Sequence, residues 1–233
     1  MIAIVDYGRG NLGSVEKLFR SVGVPAVVTQ DARAVDEADA VVFPGDGAFH
    51  DTMNGLRELG LAEAVRRALD GRRPFLGICI GYQLLFSTSE EFGDGRGLDV
   101  IPGVVRRFPA GLDVPHMGWN RVWHGGALRL FDGIEDGARF YFVHSYYPVV
   151  AGTATTDEGV GGLSEKGGAP AARSRDSSAG AQGLAIAWCE YGVRFAAAIE
   201  RGRLFATQFH PEKSQAAGIR MLKNFAAIVK EQR

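Results

Sequence analysis

The stretch PFLGICIGYQLLF, Pro74 to Phe86, places a cysteine between two glycines where a short apolar run gives way to a segment of helical texture. The run up to Ile78 has the length and setting of a buried strand, and the residues from about Tyr82 read as a helix. Cys79 therefore falls on a sharp strand-to-helix turn, with Gly77 and Gly81 relieving clashes at the bend. On such a turn the side chain projects from the top of a sheet toward a cleft, as a nucleophile elbow does. A helix opening around Tyr82 directs its partial positive charge at the sulfur and favours thiolate over thiol. The Ile80 backbone N–H then becomes a candidate oxyanion donor. A buried thiol in a tight turn would use the same residues.

Outward from this turn, the N-terminal part alternates short β-branched runs with longer amphipathic ones: IAIVDY, SVEKLFRSV, AVVTQ, AVVFPG, the stretch from Thr52 to Leu69, and PFLGI. That alternation predicts a parallel sheet with crossover helices. Beyond Phe86 the pieces VVRRF, NRVWH, FYFVHSYYPVV, LAIAWCEYG, FAAAIERG and RLFATQFH are separated by Gly-containing turns and read as hairpins. Ile219, Leu222, Phe225, Ala226 and Val229 recur at helical spacing, predicting a last amphipathic helix from Ala216 to Lys230 that packs back on the sheet. The expected class is α/β: an open, mostly parallel sheet flanked by helices, with antiparallel strands in the C-terminal part.

A chain of 233 residues at 46% hydrophobic content buries a substantial core and is expected to form one domain over 1–233. Acids and bases are intermixed and sum to a formal charge of -1, so no basic stripe points to nucleic acid and no cationic amphipathic helix to a membrane surface. The N-terminus reaches Asp6 and Arg9 too soon for a signal-peptide core or a span, so a cytoplasmic location is expected. Two distant cysteines, Cys79 and Cys189, make no disulfide framework. The segment at about 151–183 is rich in Gly, Ala and Ser and holds no aromatic residue, so a flexible surface insertion is expected there. His50, His116, His124 and His144 are scattered, and no metal site or other cofactor is expected.

A base for Cys79 is available in QFHPEKS, where Pro211 keeps His210 extended and Glu212 follows two positions on. In an extended chain, residues i and i+2 face the same way roughly 6 to 7 Å apart, so the carboxylate can orient the imidazole and stabilise its protonated form. Cys189, in LAIAWCE, has no glycine bend and reads as core. In VVFPGDGAF, Gly45 and Gly47 let backbone amides turn toward the neighbouring strand end, making the Asp46 amide the other candidate oxyanion donor. Gly8, Gly10 and Gly13 in GRGNLG also reproduce a dinucleotide fingerprint, although chance matches are frequent among 32 glycines.

The elbow GICIGYQLLF, the loop PGDGAF and FATQFHPEKS together resemble the class I, triad-type glutamine amidotransferases. Within them, DYGRGNLGSV, VPHMGWN, FVHSYY and HPEKSQAAGIRMLKNF are similar to the glutaminase subunits of imidazole glycerol phosphate synthase, of histidine biosynthesis. The resemblance assigns GRGNLG to the family pattern rather than to nucleotide binding. It implies that Cys79, His210 and Glu212 form a triad that hydrolyses L-glutamine through a thioester. It also implies that Gly47, Gln83, Glu91 and the run His144, Ser145, Tyr146 hold the substrate, with Glu91 facing its ammonium. The implied partner is a (β/α)8-barrel synthase subunit that receives the ammonia in a heterodimer and makes imidazole glycerol phosphate and an aminoimidazole carboxamide ribonucleotide. Trp119, Asn120 and Lys213 would lie at that contact. Asp46 departs from the family, which usually carries a small apolar residue there. A stand-alone cysteine hydrolase and an inactive binding module remain open alternatives.

Overall fold

The computed structural model describes residues 1–153 and 183–231. The strands are β1 (Ile2–Val5), β2 (Ala26–Thr29), β3 (Ala40–Phe43), β4 (Phe75–Ile78), β5 (Phe86–Ser89), β6 (Gly95–Arg96), β7 (Ile101–Arg107), β8 (His116–Val122), β9 (Ala138–His144), β10 (Tyr146–Val150), β11 (Ala185–Tyr191), β12 (Val193–Arg201) and β13 (Leu204–Thr207). The helices are α1 (Leu12–Ser21), α2 (Ala32–Glu37), α3 (Phe49–Glu58), α4 (Ala62–Ala68), α5 (Ile80–Gln83) and α6 (Gln215–Lys230). The expected insertion falls, apart from its ends, outside the described residues.

A seven-stranded sheet in the order β11-β12-β13-β4-β3-β1-β2 carries the fold. Its five strands from β13 to β2 run parallel, and the β11–β12 hairpin continues it antiparallel past β13. Successive residues of each parallel strand alternate between two apolar layers: Ile2 and Ile4 face one with Leu76, Ile78 and Phe225, while Ala3 and Val5 face the other with Phe43, Phe49 and Leu85. Both faces are thus buried. This is why AVVF and PFLGI read as continuous apolar runs rather than as alternating ones. A four-stranded sheet, β10-β7-β5-β6, and the hairpin β8–β9 complete the architecture.

The expected fold class is therefore present, with local differences. The stretch from Thr52 to Leu69 is two helices, α3 and α4, separated around Gly60, whose φ of +67° is a helix-ending conformation. FYFVHSYYPVV is two strands in different sheets: β9 pairs with β8 and β10 with β7, the chain passing between them at Ser145. DARAVDE, read as neither element from sequence, forms α2, with the Asp31 carboxylate accepting from the Arg33 backbone N–H at 2.9 Å. The elbow helix begins at Ile80 rather than near Tyr82 and lasts a single turn before β5. In α6, Leu222, Phe225, Ala226 and Val229 are buried as expected, but Ile219 is exposed.

Candidate active site

The parallel sheet positions the site, because β3, β4 and β13 are adjacent and their C-terminal ends share one edge. Asp46 follows β3, Cys79 follows β4, and His210 follows β13. Cys79 sits at φ +55°, ψ −107°, a conformation that an L-residue adopts only under constraint. The constraint is visible on both sides of it. The Cys79 N–H donates to the Thr207 carbonyl at 2.8 Å, and its carbonyl accepts from Tyr82 at 3.0 Å and Gln83 at 3.1 Å.

The flanking glycines have separate reasons. A Cβ on Gly81 would collide with the Phe43 carbonyl oxygen at the end of β3, and one on Gly77 would lie 2.7 Å from the Gly81 carbonyl oxygen. Backbone thus packs directly on backbone beneath the sulfur. Because α5 is only one turn, it has no long helix dipole to direct at the thiol. The Ile80 and Asp46 amides donate to no acceptor among the described residues.

His210 is buried, and its backbone is tied down: its N–H donates to the Tyr141 carbonyl at 2.9 Å, and its carbonyl accepts from the Ser214 hydroxyl at 2.6 Å. Its Nδ1 lies 2.7 Å from Glu212 Oε1. The reach is not the i, i+2 geometry of an extended strand. His210 itself is extended, but Pro211–Lys213 form a 3₁₀ turn that brings the carboxylate back to the ring. Burial pulls the imidazole pKa down. The charge and hydrogen bonding of the Cys79 sulfur and of Glu212 outweigh it, and the pKa is pushed up to about 10.

Sequence reasoning missed Gln208, a buried amide whose Nε2 lies 3.7 Å from the Cys79 sulfur and whose Oε1 accepts from Gln83 at 3.0 Å. It precedes His210 by two residues in the extended QFH run. Period-two alternation from His210 could therefore have found it.

With Cys79, His210 and Glu212 brought together at the sheet edge, comparison with known proteins is decisive. The family model for class I glutamine amidotransferases matches residues 3–229. The subunit HisH of imidazole glycerol phosphate synthase from Moorella thermoacetica is 46% identical, covering 98% of this chain and 95% of that one. The HisH subunit of Geobacter metallireducens is 47% identical, covering 97% of each. This chain belongs to the HisH family of class I glutamine amidotransferases. A solved glutamine amidotransferase, only 17% identical, covers 99% of the chain at a TM-score of 0.66 and shares the fold.

Beside the elbow of this amidotransferase lies a cleft of about 370 Å³ lined by Asp46, Gly47, Cys79, Ile80, Gln83, Glu91, His144, Ser145, Tyr146 and Lys213, with Pro115 and Val143. His210 and Glu212 do not line it. The Gln83 amide nitrogen donates to the Tyr146 carbonyl at 2.9 Å, fixing that wall. The Glu91 carboxylate accepts from the Phe49 N–H at 2.6 Å, and burial raises its pKa against that bond.

At the expected contact, Trp119 is exposed, and Met117, two residues back on the same face of β8 and not singled out from sequence, is more so. Asn120 turns inward instead: its amide nitrogen donates to the Glu190 carbonyl at 2.8 Å and lies 3.2 Å from His116 Nε2.

That amide begins a buried chain, because His116 Nδ1 is 3.0 Å from His144 Nε2 and His144 Nδ1 is 2.8 Å from the Tyr146 carbonyl. A carbonyl only accepts, so His144 donates from Nδ1 and accepts from His116 at Nε2. Burial is the main cause that lowers the pKa of His116 to about 4 and of His144 to about 3. In the unfolded chain both protonate near 6.5, so the unfolded state binds more protons below that pH. Their contribution to stability is full above about pH 6.5 and is lost as pH falls through the folded values. Urea midpoints should therefore drop between about pH 7 and about pH 4.5, and drop less in His116→Phe, which keeps a ring in the stack with Tyr191 and Phe142. Equal drops in both proteins would refute this origin.

Proposed function

We propose that this chain is the glutaminase subunit of an imidazole glycerol phosphate synthase in histidine biosynthesis, working in the cytoplasm as one amidotransferase domain. The observation that carries the reading is Cys79 held at a strained elbow within the field of an imidazolium whose far nitrogen is bound by Glu212 at 2.7 Å. The Cys79 thiolate attacks the side-chain amide carbon of L-glutamine, and negative charge moves to the carbonyl oxygen. The free Ile80 and Asp46 amides are the proposed donors to that oxygen. His210 gives its Nε2 proton to the leaving nitrogen, the C–N bond breaks, and ammonia departs with a thioester left on Cys79. The neutral ring then takes a proton from water as it attacks the thioester, and glutamate leaves. Glu212 holds the ring orientation and its charge throughout.

Gly47, Gln83, Glu91, His144, Ser145 and Tyr146 are the proposed glutamine-holding residues, and their shared cleft supports that grouping. Ammonia passes to a (β/α)8-barrel synthase subunit in a heterodimer, with Trp119 and Lys213 at the contact and Asn120 behind it on the inner face of β8. The exposure of Trp119 and Met117 supports such a face, because aromatic and methionine side chains anchor interfaces.

Glutamate release tests the reading. It should be slow for the chain alone, rise at least about 10²-fold with the synthase subunit and its nucleotide substrate, and be unchanged by Cys189→Ala, which alters a buried core thiol. Equal turnover with and without the partner would make the chain a stand-alone hydrolase.

A further inference from the structure

Nε2 of His210 is the nitrogen that the proposed reaction uses, a buried atom that interacts with the Cys79 sulfur and has no oxygen acceptor within hydrogen-bond reach among the described residues. A carboxylate nevertheless stands near it: Asp46 Oδ1 lies 3.7 Å away, on the opposite side of the ring from Glu212. The two carboxylates are not equivalent, since the Glu212 side chain is 4% exposed and that of Asp46 is 47%. Asp46 lines the cleft that His210 does not reach. Besides Cys79, the acidic side chain thus borders both the substrate space and the working nitrogen.

The backbone that carries it is held in place. The Asp46 carbonyl accepts from the Tyr7 hydroxyl at 2.9 Å, and Tyr7 fills the space beside Gly45 so closely that no Cβ fits there. Gly10, from the GRGNLG loop, packs on the other side, where a Cβ would lie 3.2 Å from the Gly45 Cα. The loop geometry therefore delivers the side chain toward His210 in the free subunit.

We propose that the Asp46 carboxylate is a brake on the glutaminase step, a positioning residue that competes with Cys79 and with the leaving amide nitrogen for the Nε2 proton. This deepens, and rests on, the triad reading above. A like-charge effect adds to the competition: a carboxylate beside the elbow disfavours the oxyanion that forms against the same loop. Moving the half-exposed side chain out of the ring's reach releases the brake without altering the Asp46 backbone amide. Lys213 lines the same cleft and carries the opposite charge. The other titratable groups around the ring are Cys79, Glu212 and His144, and Glu91 also lines the cleft.

The test compares Asp46→Asn, Asp46→Ala and Asp46→Glu with the unaltered chain, each with and without the synthase subunit. Asn and Ala should raise partner-free kcat by on the order of ten-fold with KM within about two-fold, and the fold activation by the partner should shrink correspondingly. Glu keeps the charge, so its partner-free kcat should lie below those of Asn and Ala. Iodoacetamide alkylation of Cys79 at one fixed pH supplies a readout that a packing role would not move: it should be faster in Asn and Ala than in the unaltered chain. Asn is near-isosteric and decides the matter if Ala folds poorly. An Asn variant with unaltered partner-free kcat and an unaltered alkylation rate overturns the brake and leaves the triad intact. Retention of glutamate release by Cys79→Ala overturns the triad itself, whatever Asp46 does.

Discussion

Alanine at position 79 is expected to eliminate glutamate release, with kcat falling by about 10⁵ to 10⁶ in the presence of the synthase subunit. Attack, thioester and hydrolysis all pass through that sulfur, so nothing downstream can compensate. His210→Ala should fall nearly as far, and the double variant no further, because the two act as one unit. Glu212→Gln should lose about 10² to 10⁴, since the ring keeps a partner of the same shape but loses the charge that stabilises its protonated form. Loss of function here is not loss of fold. Ala retains the Cβ and hence the same backbone penalty at φ +55°. Cys79→Gly removes that penalty. Thermal unfolding of the glycine variant should lie above that of Cys79→Ala by the equivalent of about 1 kcal/mol, after allowing for glycine's extra chain entropy. A glycine variant that melts below the alanine one would mean that the elbow is not strained.

Gly81→Ala should produce the largest structural effect of any single methyl added to this chain's elbow. The new Cβ meets the Phe43 carbonyl oxygen, a backbone atom inside a parallel sheet, with the Phe43 ring 3.4 Å away. Neither a rotamer change nor a small side-chain shift relieves a backbone contact. Either β3 or the elbow must move, and β3 is held on both edges, by β1 and by β4. A destabilisation of about 3 kcal/mol or more is expected in denaturant titration, and the folded fraction should show iodoacetamide reactivity at Cys79 unlike that of the unaltered protein. An alanine variant with unaltered stability would show that the elbow has slack. Gly13, in α1, where nothing lies within 4 Å of an added Cβ and φ is not positive, is the comparison site.

The parallel half of the fold was legible because its strands are buried on both faces and so appear as unbroken apolar runs between glycine-marked turns. The elbow was legible for a related reason: two glycines four residues apart around a cysteine have few purposes other than close backbone contact. The short α2 was not, since its six residues bury only Val35 and its Asp31 cap resembles any surface turn. The division of FYFVHSYYPVV was also out of reach, because both halves favour strand and only the tertiary pairing of β9 and β10 sends them to different sheets. At the site, the residue types were readable but their relations were not. That Glu212 reaches His210 through a 3₁₀ turn, that Asn120 faces inward, and that Asp46 approaches Nε2 are consequences of chain direction at three separate loops.

The strand order carries a consequence for how the protein comes into being. The elbow strand β4 lies between β3 and β13, and β13 comes far downstream of both in the sequence. During synthesis, which proceeds from the N-terminus, the thiol at position 79 emerges long before the imidazole at position 210. Until the C-terminal hairpin arrives, one edge of β4 has no neighbour and the nucleophile has no base. A nascent chain is therefore chemically silent toward glutamine however much of its N-terminal sheet has formed, and competence arrives only once His210 and Glu212 have been made and folded in.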